Sequence, residues 1–125
     1  MEETQVLIFP VFPHVIKTHL SGVMLTFLDD KLVWEIGDSR REITYAEIAW
    51  IELEAPLWRT GVNLFSTLSI FRAKRGYFAV GQAPIRLSWQ HYNAQEQAEI
   101  IKILRTQAPQ AQYNDLALAA FRHWF

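Results

Sequence analysis

Glu52 and Glu54 lie two residues apart in the run Trp50-Ile51-Glu52-Leu53-Glu54. On an extended strand that spacing places both carboxylates on one face. Two carboxylates on one face could divide the work of general acid and general base, provided a cleft shifted one of them. His91 is the remaining residue that could join them in a small, uncharacterised enzyme. Nothing else in the chain converges on this set, and the alternation with Trp50 reads as a solvated strand face. Asp29 and Asp30 read as turn chemistry. His14, His19, His91 and His123 are scattered, and no pair has the i, i+4 spacing of helical metal ligands. They read as structural or surface histidines. The serines have no Gly-x-Ser-x-Gly setting, and no Gly-x-Gly-x-x-Gly or Walker-type loop occurs. The expectation is therefore no catalytic site, no metal and no cofactor.

Two clusters could bind rather than react. Arg72, Lys74 and Arg75 crowd one predicted hairpin tip beside Phe71, Tyr77 and Phe78. Three cations there form a weak candidate site for phosphate or anionic lipid, at roughly 1 kcal/mol per basic residue near such a surface. A solvated hairpin is the plainer reading. Phe121, Trp124 and Phe125 share one arc of a terminal helix beginning near Asp115. That arc either docks on its own domain or forms a contact surface, since large exposed apolar patches mark interfaces.

The elements that would position these residues are short. Val6 to Phe12 reads as an edge strand or arm because it contains Pro10. Val15 to Leu20 follows, then a hairpin of Val23 to Leu28 and Leu32 to Ile36 across Asp29-Asp30-Lys31. Leu32, Trp34 and Ile36 form the predicted inward set. Ile43 to Tyr45 is a short extended piece, and Ile48 to Glu54, Leu64 to Phe71, Tyr77 to Val80 and Ile85 to Trp89 follow; apart from the arm and that short piece they make about seven strands. The period then changes. Asn93 with Glu96 three residues on forms a capping box, and Ala94, Ala98, Ile101, Leu104 and Ala108 make an apolar stripe flanked by Ile100. Pro109 ends the helix.

This order predicts a mainly β domain, a barrel or sandwich of antiparallel strands capped by an amphipathic helix, with a short extra helix at the end. The stretch Gly22 to Pro109 also resembles the bacterial pleckstrin-homology-like (PH-like) domains. The likeness rests on the hairpin Gly22 to Trp34, on the step Ile43-Thr-Tyr-Ala-Glu-Ile48, and on the ending Ile85-Arg-Leu-Ser-Trp89, Tyr92 and the closing helix. It implies two near-orthogonal antiparallel sheets capped by the helix, and a non-catalytic binding or scaffolding role through protein–protein contacts. Eukaryotic members of the fold bind phosphoinositides with basic residues in the first hairpin, whose tip here is the acidic Asp29-Asp30-Lys31. The pattern makes residues 1–125 one domain, with a core of about 15–109, an arm 1–14 and an extension 110–125.

Composition sets the outer limits. A chain of 125 residues can bury a core without staples, and with five Trp and eight Phe it is not of disordered composition. A formal net charge of −1 argues against a nucleic-acid partner. Cysteine is absent, which removes disulfides, thiolate nucleophiles and Cys-ligated zinc and suits a reducing compartment. The acidic start Met1-Glu2-Glu3-Thr4 is unlike a secretory signal, and Val6 to Ile16 is too short to span a bilayer. The expectation is a cytoplasmic protein with at most peripheral membrane contact. Its expected partner is an unknown protein or a second copy of itself, in a homodimer built from the N-terminal arm and the aromatic terminal arc.

Overall fold

The computed structural model describes residues 10–18, 22–54, 66–72 and 84–122. Four strands, β1 (His14–Lys17), β2 (Met24–Phe27), β3 (Lys31–Ile36) and β4 (Ser39–Thr44), form an antiparallel meander in chain order. The alternation of β2 and β3 does what period two dictates. Leu25 and Phe27 face inward, and the β3 residues on the same face are Leu32, Trp34 and Ile36. The β2–β3 turn is closed by the Leu28 amide donating to the Lys31 carbonyl, and the Tyr45 hydroxyl donates to the Leu28 carbonyl at 2.7 Å. The β3–β4 hairpin turns on Gly37-Asp38, where Gly37 has a φ of +55°. That left-handed conformation strains a residue carrying a Cβ and suits a two-residue hairpin loop.

The second sheet holds β5 (Trp50–Glu54), β6 (Thr67–Phe71), β7 (Ile85–Ser88) and β8 (Gln112–Tyr113) in the order β7-β6-β5-β8. Pairing is antiparallel except that β8 runs parallel to β5. Ile51, Leu53, Leu68, Ile70, Ile85 and Leu87 pack inward against the first sheet and helix α1 (Ala94–Gln107). The capping box at Asn93 and Glu96 forms as the sequence predicts, with the Glu96 amide donating to Asn93 Oδ1 at 2.8 Å and the Asn93 amide to Glu96 Oε1 at 3.0 Å. A final helix, α2 (Asp115–Ala120), seats Phe121 edge-on against Trp89, ring centroids 5.6 Å apart.

The fold is thus mainly β, sandwich-like, with a helix after the strands. The two sheets are not closed into a barrel among the described residues. Several local expectations need correction. Residues 10–12 of the predicted first strand are not extended pairing residues, and 6–9 lie outside the described residues. β4 begins at Ser39, well before Ile43, because the ladder to β3 holds its charged half. The buried arc of α1 is turned toward Ile100 and Ile103, leaving Ala94 exposed. Glu52 is not solvated: it is 1% exposed, because the centre of the second sheet is covered on both faces, with Ser69 opposite it also buried. The predicted strand Tyr77 to Val80 lies outside the described residues.

Candidate functional site

The two sheets meet along an open seam where β3 and β4 approach β6 and β7, and two arginines cross it. Arg41 faces the same way as its cross-strand neighbour Trp34, and its Nη1 donates to the Pro84 carbonyl at the start of β7, at 2.8 Å. Arg72, at the end of β6, donates from Nη2 to the Glu42 carbonyl on β4 and lies 3.5 Å from Glu47 Oε2. Partial burial lowers the pKa of Arg41, and the nearby Arg72 cation adds to the shift.

Glu47 is itself fixed. Its carboxylate accepts from the Thr44 amide at 3.0 Å and the Thr44 hydroxyl at 2.9 Å, and these bonds hold its pKa below the ordinary carboxylate value, with Arg72 contributing. Arg72 and Glu47 line a wide open groove of about 570 Å³ with Ala46, Ile48, Ala49, Gln110 and Gln112. The Gln110 side-chain amide donates to the Tyr45 and Ile48 carbonyls at 2.7 and 3.0 Å. The polar groups on this groove therefore serve first as ties between segments.

At the other end of the seam β3 runs out of core. Leu32 is buried, Trp34 is half-buried and Ile36 is 36% exposed. The space left beside Trp34 is a cavity of about 230 Å³, lined also by Val23, Ile36, Arg86, Leu87, Ser88, His91 and Tyr92. Burial raises the Tyr92 pKa above its usual value, so the phenol stays protonated at neutral pH.

The residues singled out in the sequence are dispersed. Glu52 accepts from the Trp50 indole at 3.1 Å and lines none of these hollows, nor does Glu54. His91 lines the seam cavity on the far side of β6, so the three possible catalytic groups do not meet. His14 Nε2 lies 3.1 Å from Glu99 Oε1 and ties β1 to α1. His19 and His123 lie outside the described residues, and among the described ones no three metal-ligating side chains cluster. Of the basic cluster, Arg72 is a seam tie, while Lys74 and Arg75 lie outside the described residues. Of the aromatic arc, Phe121 is 2% exposed. Its ring packs against Trp89 of the same chain, the docked one of the two alternatives for this arc. Trp124 and Phe125 fall outside the described residues.

Sequence reading missed Trp34, Arg41 and Arg86 as seam residues. The period-two pattern of β3 places Trp34 in the core, and its neighbours on β7 and the turn after it are more than fifty residues distant in sequence. No described helix is long and apolar enough to cross a membrane. No family model, curated protein or solved structure matches the chain.

Proposed function

We propose that this chain is a non-catalytic binding module of PH-like architecture that acts through protein–protein contacts. Two successive sheets, antiparallel except for β8, with helix α1 after the seventh strand support the architectural half of this reading. The observation that carries the functional half is the edge strand β1. It pairs with β2 on one side, and no other described strand pairs its opposite rim. Val15 on β1 is 51% exposed and Val11 just before it is 59% exposed. Exposed apolar side chains on an edge strand suit strand addition, in which main-chain bonds supply affinity and alternate side chains supply selectivity.

The occupant is an extended protein strand, and a second copy of this chain is the first partner to test. Light scattering on wild type and on Val15→Lys reads it directly, since lysine on an exposed edge discourages pairing without entering the core. A dimer that becomes a monomer in the variant supports pairing between copies. If wild type is monomeric, affinity purification from the native cell with the same two proteins decides. A partner held by wild type and released by Val15→Lys supports the module. Retention of nothing, or equal retention by both proteins, overturns it.

A further inference from the structure

We propose that the seam cavity beside Trp34 is a binding site for a small carboxylate with an apolar body. Two of its lining residues carry buried polar atoms with no hydrogen-bond partner, Trp34 Nε1 and His91 Nδ1. A buried polar group left unpaired costs about 1–3 kcal/mol, and two in the lining of one cavity are a strong departure from the usual complete pairing. The indole N–H can only donate, and His91 Nδ1 donates in one neutral tautomer and in the cation. Both unmet groups therefore call for acceptor oxygens.

The rest of the lining narrows the class. Arg86 is the charged residue of the cavity wall, so the wall favours an anion. Glu35 and Glu42, the nearest acidic residues of β3 and β4, alternate onto the opposite face, where they pair with Arg40. Val23, Ile36 and Leu87 give the wall an apolar side, next to Ser88 and Tyr92. A carboxylate has two oxygens for two donors and leaves its tail to the apolar wall, whereas inorganic phosphate would bury further oxygens against it. A cavity of about 230 Å³ lies below the roughly 300 Å³ at which pockets for drug-sized ligands begin, which limits the ligand to a compact acid such as a branched-chain or benzoic type.

The indole N–H signals of the five tryptophans report on this site in a two-dimensional ¹⁵N NMR spectrum. Titrating wild type with isovalerate and with benzoate is expected to shift one indole signal saturably, the one missing from Trp34→Phe. The matched amides and inorganic phosphate leave it in place. Arg86→Gln changes an exposed rim residue without entering the core, and is expected to weaken carboxylate binding about tenfold, the loss of one charge-assisted contact. Four outcomes overturn the proposal. No indole signal moves, the moving signal persists in Trp34→Phe, the amide or phosphate moves it as far as the carboxylate does, or Arg86→Gln binds carboxylate as tightly as wild type.

Discussion

Asn114 ties α2 to β5 through one side chain. Its Oδ1 accepts from the Leu53 amide at 3.0 Å and from the Ala117 amide at 3.1 Å, and its Nδ2 donates to the Leu53 carbonyl at 2.9 Å. One side chain thus caps α2 and completes both backbone groups of Leu53 on β5, while its own amide donates to the Ile51 carbonyl. Removing a cap costs about 1 kcal/mol, and orphaning half-buried backbone groups costs about 1–3 kcal/mol more. Asn114→Ala is therefore expected to lose about 2–4 kcal/mol in urea unfolding. A loss near zero would mean that water takes over all three bonds. By contrast, the exposed chain of Lys31, Glu42, Arg40 and Glu35 contributes little, because surface pairs are screened and entropically costly.

At the scale of elements, helix α1 and the docked extension are the two caps on the core. Leu104 is fully buried, so Leu104→Ala is expected to cost about 2–5 kcal/mol. Phe121→Ala is expected to cost about 3–5 kcal/mol, because its ring fills the space against Trp89. Unchanged stability in Phe121→Ala would show that α2 is only loosely attached. These two elements also mark how far the sequence could be read. The capping box at Asn93 and the change of period after Trp89 are local signals, and both were legible. β8 was not, since Gln112–Tyr113 is two residues long and exists only through pairing with β5. The charged half of β4 carries no apolar period, so its ladder to β3 is a tertiary effect. The burial of Glu52 likewise depends on what covers the outer face of its sheet, which no alternation within β5 records. The seam cavity was hidden for the same reason: Trp34 and His91 both line it but stand far apart in the sequence.

For the whole molecule, the shifted groups predict a stability plateau with two limbs. The Glu42 pKa is lowered by hydrogen bonds from Lys31 and Arg40, and that of Glu47 chiefly by the Thr44 amide and hydroxyl. A carboxylate with a depressed folded-state pKa stabilises the fold above its ordinary value of 4.5. That contribution is lost as pH falls through the lower folded value. The tyrosines act in the opposite sense. Burial raises Tyr45 and Tyr92 above their usual value and pushes Tyr113 up to about 12. The folded state then holds protons that the unfolded state releases, so this contribution is complete below pH 10.0 and lost as pH rises toward 12. The urea midpoint is expected to be flat between the limbs and to fall on both sides. In Glu47→Gln the acid limb should become shallower while the alkaline limb stays, and in Tyr92→Phe the reverse should hold. Phenolate absorbance gives a second reading, because the buried tyrosines should ionise later in the native protein than in urea. Native and unfolded titrations that coincide would remove the alkaline limb from the account, and an acid limb unchanged in Glu47→Gln would remove its contribution at the seam.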